Sequence, residues 1–358
     1  ASRASGLWVG LKIATNVADA VGTVMVSPDR IQPVMPENVL YNGVPYVHTP
    51  SANLLAPDSL ELERTLHGPR LDLAVAYARA NRLNRIAVAP KDAWLGIVAS
   101  GTTYYDLREA CLAMGLTDAV LERAGVRILK LGMLYPLEPS IVGEFAEGLD
   151  EVIVLEEKGP FVESAIKDLL YDAPSRPRIL GKKDEQGRPL VPVDGALDAD
   201  IIAHVVGHRV LNRVQLDSID GRLRKLAEAP PKPMDGPKRT PFFCSGCPHN
   251  RSTDAPEDSS VGLGIGCHTM VLLNQTGKGK VTGLTQMGGE GAQWIGQAPF
   301  TETRHLFQNL GDGTFHHSGS LAIRAAVASG VNITYKLLYN GTVAMTGAQE
   351  VEGQIQVP

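Results

Sequence analysis

The sequence predicts an α/β protein built from parallel-sheet domains, and three observations support this fold class. Short apolar runs of strand length alternate with helical segments, which is the pattern of parallel strands joined by helical crossovers. The chain has 37 glycines among 358 residues, as expected where many tight turns join strands to helices. It is also longer than one hydrophobic core usually supports, so we expect more than one domain.

The composition is that of an ordinary globular protein, with 44% hydrophobic and 20% charged residues. The formal net charge of −5, from 34 basic and 39 acidic residues, leaves no basic excess for a phosphate backbone, so we do not expect a nucleic-acid partner. No apolar run reaches the roughly 20 residues that a bilayer requires, so we expect no membrane span. The four cysteines are too few for a disulfide scaffold, and a reducing cytoplasmic location fits them better.

The first 92 residues contain no complete sheet pattern. Residues 1–25 have the pattern of a helix and a strand with no partner before them, and we interpret them as the tail of an earlier domain. Residues 26–92 form a connecting segment that begins as an irregular proline-rich stretch. It continues as predicted helices over about 60–84, which are rich in Leu, Arg and Ala.

Residues 93–215 alternate between strands and helices. Apolar runs predict strands over 95–100 (LGIVAS), 126–131 (VRILKL) and 151–155 (EVIVL). Helical spacing between and after them predicts covering helices over 104–114, from 141, and from about 161 to 169. This alternation indicates a compact α/β domain with a parallel sheet.

Proline, glycine and charge then accumulate, and we place a linker over 216–241. The region 242–358 follows as a separate domain. It contains most of the motifs that carry chemistry, and its last residues stop soon after them, with too little chain to complete a doubly wound sheet.

A strand, a glycine turn, a helix and a second strand follow one another near the end of this region. Residues 306–310 (LFQNL) predict a buried strand that ends in Gly311-Asp312-Gly313, a turn that lets a ligand approach the backbone. A helix over 318–329 and a strand over 331–339 follow, and Asn340 ends that strand. Because both strands are expected to be parallel, Asp312 and Asn340 should lie at the same edge of the sheet.

That pair of oxygen-bearing side chains is typical of a magnesium site. Mg²⁺ prefers carboxylate, carbonyl and water oxygens together with substrate phosphate. Asp312 would supply charge, Asn340 a side-chain carbonyl and Thr342 a main-chain oxygen, while the helix beginning near Ser318 points N–H groups at a diphosphate. The sequence therefore predicts a thiamine diphosphate site, although the same elements also occur in an ordinary βαβ unit.

A glycine-rich segment upstream, TQMGGEGAQWIGQAPF, is a candidate loop facing the cofactor. Gln286, Gly289, Glu290 and Trp294 are its candidate contacts, and the alternative is a glycine turn that merely packs closely. After the Gly-Asp-Gly turn, His316 and His317 are weak candidates for proton transfer. A histidine satisfied by backbone groups is the alternative there.

Three of the four cysteines lie in the same region, as FCSGCPHN (Cys244, Cys247) and GIGCHTM (Cys267). Three interpretations remain open: thiolate ligands of a four-iron four-sulfur cluster, a zinc site completed by His249 or His268, and simple buried thiols. Cys111 lies on a predicted helix and is expected to be a small core residue.

Several sequence motifs are distributed along the whole chain. The downstream ones are FCSGCPHNRST, GIGCHTM, TQMGGEGAQWIGQAPFTET, VAMTGAQ and the whole of 311–340. The upstream ones are SGLWVGLK, LGIVASGTTYYDLREA, LYPLEPS and IVLEEKGPFVE. Together they resemble the fused indolepyruvate ferredoxin oxidoreductases, members of the 2-oxoacid ferredoxin oxidoreductase group. The resemblance covers nearly the whole chain. It implies domains of the thiamine diphosphate enzyme type: a transketolase-C-terminal-like domain over 93–215, followed by a partial diphosphate-binding domain.

The resemblance also implies an activity. Such an enzyme decarboxylates an arylpyruvate oxidatively with coenzyme A, giving an aryl-acetyl-CoA and electrons for ferredoxin. It implies Mg²⁺ on Asp312, Asn340 and the main chain of Thr342, and a cluster on Cys244, Cys247 and Cys267 whose fourth cysteine lies beyond residue 358. The glutamate that activates the cofactor would precede residue 1, in the pyrimidine-binding domain whose tail is 1–25. We therefore expect this chain to be a fragment, inactive alone, of a homo-oligomeric enzyme.

Two other functions are compatible with parts of the sequence. A non-redox thiamine diphosphate decarboxylase or synthase needs the same magnesium site but no cluster thiolates. A zinc-stabilised binding module needs the thiols but not the spacing from Asp312 to Asn340. Metal and cofactor content distinguish all three.

Overall fold

Two larger sheets organise the chain, one in each of two compact units, Ala1–Lys232 and Pro233–Pro358. Neighbouring strands in both sheets are mostly parallel and alternate with helices along the chain, which confirms the predicted α/β class. The residues that the computed structural model describes are 1–36, 39–174, 176–228, 240–351 and 353, with Asn16 described by its backbone only.

The first unit contains a two-stranded antiparallel ribbon and a five-stranded sheet. The sheet has the order β3-β5-β4-β6-β7, in which β3 is antiparallel to β5 and the other neighbours are parallel. The three strands expected from the sequence are confirmed at their predicted bounds. The strands of this unit are β1 (Leu40–Tyr41), β2 (Val44–Pro45), β3 (Arg85–Val88), β4 (Leu95–Ser100), β5 (Val126–Leu131), β6 (Glu151–Leu155) and β7 (Arg178–Leu180).

Helices surround this sheet and precede it. The helices expected over 60–84 form, but a π-helical stretch at Leu66–Arg70 interrupts them where Gly68 leaves helical geometry before Pro69. A proline removes a backbone donor and disfavours helical geometry in the residue before it, so this break has a local cause. The helices are α1 (Ser2–Ser5), α2 (Thr15–Ala18), α3 (Asp58–Thr65), α4 (Leu71–Ala80), α5 (Gly101–Ala113), α6 (Asp118–Arg123), α7 (Pro139–Ala146), α8 (Phe161–Leu170), α9 (Ala199–Leu211) and α10 (Asp217–Glu228).

Both faces of the five-stranded sheet are buried. Ile97 and Val98 are consecutive residues of β4, so their side chains point to opposite faces of the sheet. Both are at most 1% exposed, and each belongs to a different hydrophobic cluster. Side chains of α5, α9 and α10 complete the first cluster, and those of α7 and α8 complete the second. Cys111 lies in the first cluster, where burial raises the pKa of its thiol to about 12, as expected of a core residue. A strand covered on both sides reads as a continuous apolar run, which explains why these strands were predictable.

Three expectations for the first part of the chain need correction. No strand forms within residues 1–25, all of which are described; their apolar side chains, such as Trp8 and Val21, remain exposed and pair with no described strand. The edge strand β3 lies in the segment expected to connect domains. Within the expected linker 216–241, α10 buries Ile219 and Leu223 in the core, so an amphipathic helix replaces its first half. Residues 229–239 of that linker lie outside the described residues.

Charged side chains at the carboxyl edge of the first sheet form hydrogen bonds within the protein. Glu156, which directly follows β6, is buried and accepts hydrogen bonds from the backbone N–H groups of Val162 and Glu163 at the start of α8. Lys182 is also buried and donates to the carbonyls of Glu156 and Pro192. These charged groups are used in holding the fold together.

The second unit contains a four-stranded sheet of order β11-β10-β8-β9, and every pair of neighbours is parallel. Strands were predicted over 306–310 and 331–339, and both are confirmed with small shifts at their ends. The strands are β8 (Ala255–Leu263), β9 (Lys278–Leu284), β10 (Leu306–Gly311) and β11 (Ile333–Leu338).

The helical segments of the second unit are shorter. The helices are α11 (His249–Ser252), α12 (Ala292–Gln297), α13 (Asp312–Thr314) and α14 (Ser320–Ser329). Short 3₁₀ turns lie at Cys267–Leu272, Ala298–Phe300 and Ala344–Thr346, and a π-helical turn at Phe315–Gly319 joins α13 to α14. In the described parts of both units, no helix combines the length and apolarity needed to cross a bilayer.

A buried carboxylate fixes the start of α7. Glu138 accepts hydrogen bonds from the N–H groups of Ser140 and Ile141, and the Arg79 guanidinium donates to it at 2.6 Å. Burial opposes ionisation of Glu138, but the bonds from Arg79 and the two N–H groups outweigh it and hold the pKa of this carboxyl below its ordinary value.

We predict that Glu138→Ala lowers the free energy of unfolding by about 2 kcal/mol, because it removes the helix cap and the carboxylate partner of Arg79. The folded-state pKa is lowered, so the contribution of Glu138 is full above the unfolded-state pKa of about 4.3 and disappears as the pH falls through the lower folded-state value. Urea unfolding curves measured from pH 3 to 7 test both statements.

Glu144 lies on the same helix but is exposed, so Glu144→Ala is the matched control and should change stability little. Equal effects of the two substitutions, or an effect of Glu138→Ala that does not diminish as the pH falls from 7 to 3, would contradict the assignment.

Candidate functional site

The four carboxyl ends of the second sheet meet at one edge because all its strands are parallel. Gly264 follows β8, Thr285 follows β9, Asp312 follows β10, and Asn340 comes two residues after β11. The glycine loop and the Gly-Asp-Gly turn predicted from the sequence are therefore brought to the same edge. Ligands of open parallel sheets bind at this kind of edge.

Asp312 joins the ends of β10 and β11. Its side chain is only 3% exposed, and its Oδ2 accepts hydrogen bonds from the backbone N–H groups of Asn340 at 2.9 Å and Gly341 at 2.7 Å. Its Oδ1 accepts the N–H of Gly313 at 2.9 Å. The predicted meeting of Asp312 with the chain at Asn340, 28 positions later, is confirmed.

The geometry leaves room for a cation at this carboxylate. A carboxylate offers about four acceptor positions, and the three N–H groups occupy three of them, which leaves one on Oδ1. The side-chain oxygen of Asn340 accepts the N–H of Thr342 at 3.0 Å and a longer contact from its hydroxyl at 3.4 Å. Asn340 would exchange that weak hydroxyl contact for a metal ion. The donor set thus fits Mg²⁺, with a main-chain oxygen near Thr342 still to join it.

The helix after the turn begins earlier than expected. The sequence predicted a start near Ser318, but helical geometry begins at Asp312, directly after β10, and continues through the π-helical turn into α14. The N–H groups at the sheet edge are thus those of the first turn from Asp312. Gly330 ends α14 in the left-handed conformation.

The glycine loop after β9 packs tightly against its surroundings. A Cβ at Gly288 would lie 2.6 Å from the Ser318 hydroxyl, and a Cβ at Gly291 would lie 2.2 Å from the Tyr335 hydroxyl. Both glycines have positive φ angles, of 92° and 87°. The side chain of Gln286 folds over Gly289 in the same loop. The loop therefore requires glycine both for its backbone conformation and for space.

Glu290 is the buried polar group of this loop. It is 0% exposed, and its Oε2 accepts the N–H of Gly288 at 2.7 Å. Burial raises the pKa of the Glu290 carboxyl, against the effects of its own backbone N–H, of the Gly288 N–H and of His317. Trp294, another candidate of the same loop, donates its indole N–H to the carbonyl of Asn332 and is a packing residue.

The two predicted histidines lie in the π-helical turn Phe315–Gly319. His317 is exposed, and its Nδ1 lies 2.6 Å from the Ser318 hydroxyl, the same hydroxyl that occupies the space beside Gly288. His316 is half-buried, with its ring against that of Phe315. His317 therefore belongs to the surroundings of Glu290 and the glycine loop.

The three cysteines are neighbours on one face of the sheet. The N–H of Cys247 donates to the carbonyl of Cys244 at 3.0 Å, and Cys247 and Cys267 both pack against the small core below Phe307. Burial, followed by the nearby thiols of Cys247 and Cys244, raises the pKa of Cys267. In the described part of the chain, however, no group of three or more Cys, His, Asp or Glu side chains is arranged so that it could hold a metal ion. The thiols are close, but they do not form a complete site by themselves.

The two histidines considered as zinc ligands are buried in the same layer. The Nδ1 of His249 lies 3.0 Å from the Ser252 hydroxyl, and its pKa is lowered by burial, with Asp312 acting in the opposite direction. Burial, with a smaller effect from His249, lowers the pKa of His268 to about 4. Both imidazoles are therefore expected to be neutral at physiological pH.

Sequence reasoning missed the polar side chains inside β10. Gln308 and Asn309 are both 0% exposed, at the centre of a strand that was taken as an apolar run. Gln308 accepts from Gln293 of α12, whereas both side-chain atoms of Asn309 lack a partner among the described residues. The signal was present: two amides in the middle of LFQNL are unusual for a buried strand.

Two family models match the chain, and together they cover about two thirds of it. Residues 85–232 match the indolepyruvate oxidoreductase domain. Residues 264–356 match the C-terminal TPP-binding domain of thiamine pyrophosphate enzymes, which includes the whole edge described above.

Curated relatives carry the name indolepyruvate oxidoreductase subunit IorA. The protein from Thermococcus kodakarensis is 29% identical over 289 residues, which is 75% of this chain and 41% of that protein. The protein from Methanothermobacter marburgensis is 26% identical over 356 residues, which is 96% of this chain and 52% of that protein. The chain thus spans about half the length, or less, of these relatives.

Among solved structures, similarity is limited in extent. A split-gene transketolase, an inactive β4 tetramer, has 19% identity and a TM-score of 0.26, covering 36% of this chain and 41% of that one. A 2-oxoglutarate:ferredoxin oxidoreductase from Magnetococcus marinus has 18% identity and a TM-score of 0.29, covering 47% of this chain and 25% of that one.

The curated relatives named above align with most of the chain. On these findings the chain is similar to the indolepyruvate oxidoreductases along most of its length.

Proposed function

We propose that this chain is part of a thiamine diphosphate-dependent oxidoreductase that converts an arylpyruvate and coenzyme A into an aryl-acetyl-CoA and CO₂. The arylpyruvate loses its carboxyl group as CO₂, its keto carbon is oxidised by two electrons, and the CoA thiol loses a proton as the thioester bond forms. Two ferredoxin molecules would each accept one electron. The observation that carries this proposal is the closure of Asp312 onto the backbone at Asn340 and Gly341.

The residues of the second unit would bind and orient the cofactor. Asp312 offers one free acceptor position on Oδ1 to Mg²⁺, and Asn340 offers its side-chain oxygen, with a backbone oxygen near Thr342 as the third protein ligand. The N–H groups of the helical turn from Asp312 face the same edge and suit a diphosphate. When bound, thiamine diphosphate supplies the carbanion chemistry of the decarboxylation.

Glu290, Gly289 and His317 would line the side of the site opposite the metal. The glycine loop lets the cofactor approach the backbone closely, and the buried carboxyl of Glu290 keeps that loop in shape through Gly288. His317 is exposed on the turn that packs against the loop, where an imidazole could move a proton at Nε2 while Nδ1 is held by Ser318. The activating glutamate of the cofactor and the electron-transfer step are not assigned to residues of this chain.

We further propose that Cys244, Cys247 and Cys267 supply three ligands of an iron–sulfur cluster in the full-length enzyme. Their placement supports this, because the N–H of Cys247 donates to the carbonyl of Cys244, and Cys247 and Cys267 pack against the same small core. The fourth ligand would lie outside the described residues. We also propose a cytoplasmic, homo-oligomeric full-length protein, in keeping with its reducing-compartment cysteine usage.

In the full-length protein, Asp312→Ala is expected to abolish Mg²⁺-dependent binding of thiamine diphosphate, since it removes the only carboxylate assigned to the metal. Asp312→Asn keeps the shape and most acceptors but removes the charge, and should weaken binding by roughly tenfold to a hundredfold, equivalent to ~1.5–3 kcal/mol. Titration calorimetry with thiamine diphosphate, with and without Mg²⁺, measures both.

The exposed Asp258 of the same unit gives the matched control, and Asp258→Ala should leave the affinity unchanged. Wild-type affinity in Asp312→Ala, with the fold intact by circular dichroism, would refute the magnesium site.

Metal analysis of anaerobically purified full-length protein separates the candidate functions. Iron with sulfide is expected. Cys267→Ser should lower the iron content, because it removes one of the three cysteine ligands that this chain would supply. Cys111→Ser is the control, since Cys111 lies in the core of the other unit and should leave iron unchanged. Zinc without iron would favour a zinc-stabilised module, and bound thiamine diphosphate without either metal would favour a non-redox decarboxylase.

A further inference from the structure

One oxygen of Glu290 is buried without a hydrogen-bond partner. The side chain is 0% exposed, and its Oε2 is held by the N–H of Gly288 at 2.7 Å. Its Oε1 has no partner among the residues that the structure describes. Buried polar atoms in folded proteins are nearly always paired, so the free Oε1 indicates a partner that is added to the protein.

That free oxygen points to the middle of the carboxyl edge. A Cβ placed on Gly264 would lie 2.5 Å from Oε1, so Oε1 lies directly beside the residue that follows β8. Strand β8 is an inner strand of the sheet, between β9 and β10. Oε1 is therefore located between the glycine loop that follows β9 and Asp312, which follows β10.

The surroundings of Glu290 favour an uncharged carboxyl group. No Lys or Arg in the described chain forms an ion pair with it, and a buried carboxylate without a cation is costly. Two titratable groups face it: His317, from the turn after Asp312, and Tyr335, whose hydroxyl donates to the backbone carbonyl of Glu290 and so leaves the carboxyl untouched. Burial outweighs the opposing effects of the Glu290 backbone N–H, the Gly288 N–H and His317, and it raises the pKa of Glu290.

Resting on the proposed function, we propose that Glu290 is a neutral carboxylic acid whose Oε1–H donates a hydrogen bond to a phosphate oxygen of bound thiamine diphosphate. The protonated form has one O–H donor, which is what a phosphate oxygen accepts, whereas an ionised carboxylate at this place would repel the diphosphate. Its other oxygen continues to accept the N–H of Gly288. Glu290 thus couples the shape of the glycine loop to the presence of the diphosphate.

Substitutions in the full-length protein test the donor directly. Glu290→Gln has nearly the same shape and the same charge as the protonated acid, with a carbonyl oxygen to accept the N–H of Gly288 and an NH₂ group that can donate to the phosphate, so its affinity for thiamine diphosphate should stay within about threefold of wild type. Glu290→Met lacks both groups and should bind at least about tenfold more weakly, as expected for a lost hydrogen bond to a charged group. The exposed Glu302 gives the control, and Glu302→Gln should bind as wild type.

An infrared difference spectrum separates donation from a purely structural role. A carbonyl band of a protonated carboxylic acid should be present in the wild-type protein, absent in Glu290→Gln, and shifted by thiamine diphosphate with Mg²⁺ but not by thiamine, which lacks the phosphates. Thermal unfolding of the cofactor-free variants checks that each one folds.

The outcomes are distinct from those that test the cofactor site itself. If wild type binds thiamine diphosphate, Asp312→Ala does not, and the Glu290 band is absent or unmoved, this inference is wrong and the proposed function stands. Equal losses in Glu290→Gln and Glu290→Met would show that a carboxylate is required and would also overturn it. If wild type binds no thiamine diphosphate, the proposed function fails first.

Discussion

The candidate site depends on one buried carboxylate that ties two strand ends together. Asp312 follows β10, and its Oδ2 accepts the N–H groups of Asn340 and Gly341 just beyond β11. These N–H groups lie past the end of the strand ladder. By satisfying them, Asp312 holds the two ends at a fixed distance, so the oxygens at this edge are positioned before any ligand arrives. Such prior positioning reduces the ordering cost of binding.

A second constraint comes from the glycines around this edge. At Gly262 and Gly264 a side chain would collide with Gln308 and Glu290, respectively, because these polar groups occupy the space that a Cβ would need. Glycine at these positions therefore serves to admit a buried polar group from a neighbouring element. The close packing at Gly288 and Gly291 agrees with the interpretation of the glycine-rich segment as a closely packed turn, and its role as a loop facing the cofactor stays a prediction.

Much of the fold was predictable from the sequence because its central strands are covered on both sides. The three strands of the first sheet were found at their correct bounds, since continuous apolar runs such as LGIVAS have few other interpretations. The antiparallel edge strand β3 was missed because it is short and half-exposed, and the helix start at Asp312 was missed because glycine on both sides argues against helix. The contact between Asp312 and Asn340 was predictable because parallel topology fixes which ends meet. The burial of Glu290 was not predictable, because its side chain occupies space that is free only where Gly264 has no Cβ.

The distribution of unpaired polar atoms shows where the second unit differs from the first. Among the described residues, the buried side-chain atoms without a partner include only those of Asn84 and Arg222 in the first unit. In the second, much smaller unit, atoms of His268, Glu290, Gln293 and Asn309 share that condition. Asn309 shares a face with Phe307, against which Cys247 and Cys267 pack, whereas Gln293 and Glu290 belong to the opposite, glycine-loop side. A folded core does not retain so many unpaired groups without a reason, because each one costs free energy. Their concentration on either side of Asp312 is the arrangement expected of a site that is completed by ligands on two faces: a diphosphate beside the glycine loop, and a second group beside the cysteines.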